Sequence, residues 1–221
     1  MTLPRTAEIV IIGGGVMGAS TAYHLAKRGA KDILLLEKEQ FFGQGATGRC
    51  AGGVRYQFST EINVRLSQLS LPMLERFEGE IGQGIDYRKC GYLILLSNQK
   101  DLHQYEMNLR LQNGLGVETI LLDGEEIRQR LPMMNLEDIV AGTYNPKDGL
   151  VDPNSVVMGY INAASRLGVN SLTGVEVTAL EILGEEMTAV ETRHGKVETP
   201  IVINAAGPWA GKIGEMAGVD I

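Results

Sequence analysis

The tightest constraint on the fold lies near the N-terminus. Glu8-Ile9-Val10-Ile11-Ile12 is an almost unbroken β-branched run, as expected of a strand buried on both faces of a parallel sheet. Residues 16–29 are rich in small and helix-forming side chains and stop at Gly29, a suitable C-terminal cap. Ile33-Leu34-Leu35-Leu36-Glu37 then supplies a second apolar strand that ends in an acid. Strand, helix and strand in such close succession form a βαβ unit, which commits this region to a parallel sheet.

The turn between the first strand and the helix reads Gly13-Gly14-Gly15-Val16-Met17-Gly18, a G-x-G-x-x-G pattern. In such a turn Gly13 permits the tight bend and Gly15 lets a pyrophosphate approach the backbone. Gly18 lets the helix lie close to the strand, and the helix N-terminus faces the phosphates. Glu37 follows about 20 residues later, placed to accept hydrogen bonds from a ribose hydroxyl pair. A carboxylate there would repel a 2′-phosphate, which disfavours NADP.

The continuation favours FAD over NAD, because a plain NAD domain proceeds through regular βα repeats. Here a Gly-rich connection follows at 41–54, with Gly43, Gly45, Gly48, Gly52 and Gly53, too long for an ordinary turn. Ser59 or Thr60 can cap a helix carrying Ile62, Leu66, Leu69, Met73 and Phe77 on one face, interrupted by Pro72. An inserted α+β region is expected from a strand at 91–97, a helix near 99–113, a strand at 117–122 and a short helix at 124–130.

Asp152-Pro153 then opens a second crossover helix with Val156, Val157, Tyr160, Ile161, Ala164 and Leu167 on its apolar face. Short strands at 169–172, 175–183 and 187–193 suggest a small antiparallel meander. Pro200 to Gly207 reads as another fully buried strand, and Pro208 can open a last helix. The expected fold is α/β: a Rossmann-like FAD-binding parallel sheet, a small antiparallel meander and an inserted α+β portion of a substrate domain. Residues 1–80 and 140–221 are assigned to a discontinuous FAD-binding domain, and 81–139 to part of the substrate-binding domain.

Composition excludes some functions. A net charge of −7, with basic residues scattered rather than clustered, offers no footprint for nucleic acid. No stretch approaches the roughly 20 apolar residues of a membrane span, and the start of the chain has no secretory signal pattern, so a cytoplasmic location is expected. Cys50 and Cys90 have no metal or disulfide spacing and read as buried thiols. His24, His103 and His194 form no metal-binding pair.

Four segments carry a resemblance to a known group. They are Gly13–Gly18, the stretch Gly45-Ala46-Thr47-Gly48-Arg49-Cys50-Ala51-Gly52-Gly53-Val54-Arg55-Tyr56-Gln57-Phe58, the Lys89–Leu93 strand, and Asn204-Ala205-Ala206-Gly207-Pro208-Trp209-Ala210. Over essentially its whole length the chain resembles the flavoprotein superfamily of D-amino-acid oxidase, glycine oxidase and sarcosine oxidase. It is most similar to the β subunits of heteromeric sarcosine oxidase and L-proline dehydrogenase.

The resemblance implies that Ala46 and Thr47 touch the pyrophosphate, that Gly52 and Gly53 pass close to the flavin ring, and that Val177 presents its backbone to the adenine. Ala206 and Gly207 would flank the cofactor from the last strand. Val16, Met17, Lys38 and Trp209, neighbours of these positions, complete the candidate cofactor set. Arg55 follows the cofactor loop where related enzymes place an arginine against the substrate carboxylate, and its planar fork suits that task; Arg49 is a weaker candidate. The flavin-linking histidine of heteromeric sarcosine oxidases would fall near 152–154, where there is none, so covalently held FMN is not expected.

The resulting expectation is an FAD-dependent oxidoreductase acting on a small amino acid or N-methylated amine, of sarcosine, proline or glycine type. Other subunits of a hetero-oligomer are possible partners. An NAD-dependent dehydrogenase and a non-catalytic flavin-binding electron-relay subunit are the alternatives. The family continues beyond a Gly-Pro-Trp-Ala segment like that at 207–210, so the chain is expected to be a fragment, inactive by itself.

Overall fold

The computed structural model describes residues 2–221. In chain order come β1 (Ile9–Ile12), α1 (Val16–Lys27), β2 (Ile33–Leu36), β3 (Gly53–Val54), α2 (Glu61–Glu75), α3 (Phe77–Ile81) and β4 (Tyr92–Leu96). Next are α4 (Gln99–Gly114), β5 (Ile120–Leu122), α5 (Gly124–Arg130), β6 (Ala141–Asn145), β7 (Gly149–Leu150) and α6 (Pro153–Arg166). The chain ends with β8 (Asn170–Leu172), β9 (Val177–Leu183), β10 (Glu186–Thr192), β11 (Gly195–Glu198), β12 (Val202–Asn204), a 3-10 turn at Gly207–Trp209 and α7 (Ala210–Met216). Two compact units result. The first comprises the chain to Ala51, Glu78–Ile85 and Asp152–Ile221, and the second Gly52–Phe77 and Asp86–Val151.

The first unit is built on a four-stranded parallel sheet in the order β12-β1-β2-β8. Alternation along the strands gives the sheet two apolar faces. Val10, Ile12, Leu34 and Leu36 join Val177, Val190 and Val197 of the β9-β10-β11 meander in one core. Helices α1 and α6 pack on one another, with the Tyr23 and Tyr160 rings 5.6 Å apart. Asp152 caps α6 by accepting from the backbone N–H of Asn154 and Ser155, and Pro153 opens the helix, as the sequence predicts.

Three expectations are corrected in this unit. Residues 170–172 do not belong to the meander: β8 pairs in parallel with β2, Leu34 opposite Asn170, and β11 supplies the third meander strand. A strand reached through a crossover helix such as α6 returns parallel to the sheet, a rule that outweighs the short spacing to the next strand. Strand β12 is half-buried rather than fully buried because it lies at the sheet edge, and Leu167 is exposed at the C-terminal cap of α6.

The second unit holds an antiparallel sheet in the order β4-β6-β5 and a two-stranded ribbon, β3-β7. Leu122, Ile127 and Leu136 form its buried cluster, with Leu93, Leu95 and Tyr144 packed against it. Asn98 caps α4, and Asp123 with Glu126 forms a full capping box on α5. Strand β6, central in the sheet, was not expected, since Ala-Gly-Thr-Tyr-Asn has no apolar run.

Helix α2 buries a different face from the one expected. Val64, Ser67 and Leu71 are buried, while Ile62, Leu66, Leu69 and Met73 stand 40–64% exposed. The helix carries two apolar stripes, and packing, which periodicity alone cannot see, selects between them. Pro72 lies inside α2, which ends within a turn of it, and Phe77 is buried as the first residue of α3. The cysteines also depart from expectation: Cys50 and Cys90 are both exposed and unpaired.

Candidate functional site

The C-terminal ends of β1, β2 and β12 lie side by side in the first unit, where open parallel sheets bind their ligands. The turn after β1 bends sharply at Gly13, whose φ of +114° places it where side-chain-bearing residues rarely go. A Cβ on Gly13 would strike the Ala205 carbonyl, and one on Gly18 would strike the carbonyl of Gly13. These two glycines hold strand, turn and helix in contact. A Cβ on Gly15 would have as its nearest neighbour only Thr47 Oγ1, 3.2 Å away.

Ahead of that turn, the N–H groups in the first turn of α1 have no helical acceptor. The N–H of Val16 donates to Thr47 Oγ1 at 3.1 Å. The Gly-rich connection supplies Thr47 by folding back on the turn: Gly43 N–H donates to the Gly14 carbonyl at 3.0 Å and Gly48 N–H to the Gly43 carbonyl at 2.7 Å. The helix dipole and its free N–H groups make this end of α1 an anion-binding position.

Glu37 leaves the end of β2 with its side chain buried. Its Oε2 accepts from the Gly14 N–H at 2.7 Å and its Oε1 from the Glu39 N–H at 2.8 Å, so the acid is locked against the turn. Each oxygen keeps a further lone pair for another donor. Beside it, Lys38 Nζ sits 3.5 Å from the centroid of the Trp209 ring, a cation–π contact that joins the end of β2 to the segment after β12.

These groups surround a cleft of about 460 Å³. Gly13, Gly15, Val16, Met17, Glu37, Lys38, Ala46, Thr47, Val177, Ala206, Gly207 and Trp209 all line it. Gly18 stands behind the wall, packed on Gly13 and Leu35. Gly52 and Gly53 belong to the second unit, where Gly52 is buried with φ +78° and Gly53 begins β3. The sequence reading missed Val175, Lys212, Ile213 and Met216 among the lining residues, because ordinary core and surface types carry no chemical signal.

Arg55 also lies in the second unit, just past β3. Its guanidinium carbon is 5.0 Å from the Tyr92 ring centroid and 5.7 Å from that of Phe58, and it lines a cavity of about 210 Å³ with Gln57, Gln112 and Thr143. Arg49 is exposed. His24 packs at 4.9 Å against the Tyr23 ring, and burial, followed by the charges of Lys27 and Arg28, lowers its pKa. His194 is exposed and lies 3.0 Å from the Gly174 carbonyl through Nε2. Among the described residues no group of three or more His, Cys, Asp or Glu could hold a metal, and no helix is long and apolar enough to cross a membrane.

A glycine turn at the end of a central parallel strand, a helix N-terminus aimed into a cleft and a buried acid ending the next strand define a dinucleotide-binding protein. Residues 8–221 match the family described as FAD dependent oxidoreductase, and the chain belongs to that family. FAD is therefore its cofactor, and the cleft fits it: Gly15 presents bare backbone, the N-terminus of α1 faces the phosphate position, and the nearest side-chain atom to a Gly15 Cβ is the small hydroxyl of Thr47.

Similarity to individual proteins points the same way. The chain is 35% identical over 225 residues to the mitochondrial sarcosine dehydrogenase of Mus musculus, which aligns with 99% of this chain and 24% of that protein. It is 36% identical over 215 residues to the mitochondrial dimethylglycine dehydrogenase of Rattus norvegicus, covering 97% of this chain and 25% of the relative. Among solved structures, the L-proline dehydrogenase of P. horikoshii superposes with a TM-score of 0.89 at 36% identity, over 98% of this chain and 57% of the other. The chain thus spans about a quarter of the length of these curated relatives.

Proposed function

We propose that the protein oxidises a small amino acid or N-methylated amine of the sarcosine, proline or glycine type. The observation that carries this reading is the cleft itself, with Gly15 bare of side chain, the N-terminus of α1 facing it and Glu37 locked at its edge. Support for the substrate class comes from the relatives, which are a sarcosine, a dimethylglycine and an L-proline dehydrogenase.

In this reading the first unit is the FAD-binding part and the second belongs to the substrate-binding domain. Gly13, Gly15, Val16, Met17, Ala46 and Thr47 surround the pyrophosphate, and the hydroxyl of Thr47, which meets the Val16 N–H, exchanges that bond for one to phosphate. Glu37 accepts from the ribose hydroxyls through its remaining lone pairs, with Lys38, Trp209, Val177, Ala206 and Gly207 lining the nucleotide. Gly52 and Gly53 keep the backbone slim beside the flavin ring. When bound, FAD would supply the acceptor for a hydride leaving a C–H bond on a carbon attached to the amine nitrogen. Arg55 binds the substrate carboxylate with two parallel charge-assisted bonds and so holds the substrate in the site.

We further infer that turnover requires more polypeptide than residues 1–221, whether from the same chain or from another subunit of a hetero-oligomer. The share of the relatives that the chain spans supports this. A reducing compartment, the cytoplasm, is the proposed location, a reading supported by two exposed free cysteines.

The experiment is an anaerobic visible titration of the complete flavoprotein with sarcosine, dimethylglycine, proline and glycine. Bleaching of the flavin bands by at least one of them is expected. A yellow protein that no amine bleaches would instead be a flavin-binding subunit without amine-oxidising activity.

A further inference from the structure

Arg55 sits in a segment without regular secondary structure, residues 55–60, so its direction must be fixed by side-chain bonds rather than by a helix or a sheet ladder. Those bonds converge on Asp148, which is 0% exposed in the turn between β6 and β7. Asp148 Oδ1 accepts from the Tyr56 N–H at 2.7 Å and Oδ2 from Gln57 Nε2 at 2.9 Å. The same Gln57 nitrogen donates to the carbonyl of Tyr92 at 2.8 Å, and the Tyr92 ring lies under the Arg55 guanidinium. One carboxylate therefore holds both residues that follow Arg55, and Gln57 carries the connection on to the strand whose aromatic side chain supports it.

The chemistry of that anchor is specific. Both of its donors, the Tyr56 backbone N–H and the Gln57 side-chain amide, are neutral, so burying a charge there is costly unless a cation offsets it. The charge of Arg55 offsets that cost in part. Burial raises the pKa of Asp148 on balance, and the Tyr56 N–H, the Gln57 amide and, least of the three, the charge of Arg55 act against it. An amide at this position could not replace the carboxylate: its NH2 would face the Gln57 donor, and turning Gln57 round would set its oxygen against the Tyr92 carbonyl.

We propose that Asp148 is a positioning residue for Arg55: by clamping Tyr56 and Gln57, it presents Arg55 to a substrate carboxylate in one orientation. This rests on the reading of Arg55 as the carboxylate-binding residue.

A double-mutant cycle on the complete FAD-loaded enzyme tests it, using Asp148→Asn, Arg55→Lys and the pair, with KM, kcat and FAD content measured on whichever amino acid bleaches the flavin. Asp148→Asn should raise KM roughly tenfold, the scale of losing a charge-assisted hydrogen bond. It should leave FAD content and saturated kcat nearly unchanged and add almost nothing in the Arg55→Lys background. Gln57→Met, which removes one of the two donors, should move KM in the same direction by less, and it keeps the test open should Asp148→Asn fail to fold. Effects that multiply with Arg55→Lys, or a loss of FAD and kcat with KM unmoved, would overturn the positioning role. If Arg55→Lys moves KM and the Asp148 and Gln57 variants do not, only the positioning role fails. If Arg55→Lys itself leaves KM unmoved, the carboxylate reading fails first.

Discussion

Gly15 and Gly18 stand three residues apart in one motif, yet the structure gives them different work. Gly15 has an extended backbone, φ −79° and ψ −175°, with open space beyond the Thr47 hydroxyl. Gly15→Val should therefore leave the apoprotein stable to within about 1 kcal/mol while abolishing FAD binding, because the branched side chain fills the phosphate position. Gly18→Ala drives a methyl into the backbone carbonyl of Gly13 and should destabilise the fold by about 1–3 kcal/mol. Thermal unfolding of both apoproteins beside their flavin content checks the contrast; equal loss of stability in the two would remove it.

A second residue-scale test concerns Tyr87, whose buried hydroxyl has no hydrogen-bond partner and whose pKa is pushed from 10.0 up to about 12, by burial first and then by the charges of Glu75, Tyr56 and Asp148. A raised folded-state pKa means stability that is fully present below pH 10 and lost as pH rises through about 12. Tyr87→Phe should flatten that alkaline decline and leave neutral stability almost unchanged, as measured by urea unfolding across pH. The glycines and Glu37 were legible in the sequence because they act within one βαβ unit. Asp148 was not, because its partners Tyr56 and Gln57 are far away in the chain and its burial is set by tertiary packing.

Among the elements, α6 shows most directly how a local signal carries a global one. Asp152 accepts from the N–H of Asn154 and Ser155 and from the Ser155 hydroxyl, the last being the main cause of a carboxyl pKa held below the usual 3.8. Asp152→Ala should lower stability by about 0.5–2 kcal/mol at neutral pH. A depressed pKa gives stability that is present above 3.8 and lost as pH falls through the folded value, so the gap between variant and parent should close in acid. A constant gap down to low pH would show that the carboxylate charge contributes nothing to the cap. Helices with such caps were readable in advance, α5 over Gly124–Arg130 included. The register of β8 and the buried face of α2 were not, since each depends on which neighbour the element meets and the sequence pattern fits either choice.

At the scale of the molecule, the βαβ motif, the crossover helix and the meander assemble into one unit whose sheet ends converge on a single cleft. Family membership follows from the match over residues 8–221, and the cleft gives that membership its physical content. Trp209 is the sole tryptophan of the chain and lines the cleft in contact with Lys38, so its fluorescence reports on whatever binds there. The most direct measurement is the titration of apoprotein with FAD, and separately with NAD, while following Trp209 emission. Saturable quenching by FAD with one equivalent bound, no saturable change with NAD, and no quenching by FAD in Gly15→Val are expected. Saturation by NAD, or a Trp209 signal indifferent to FAD, would contradict this.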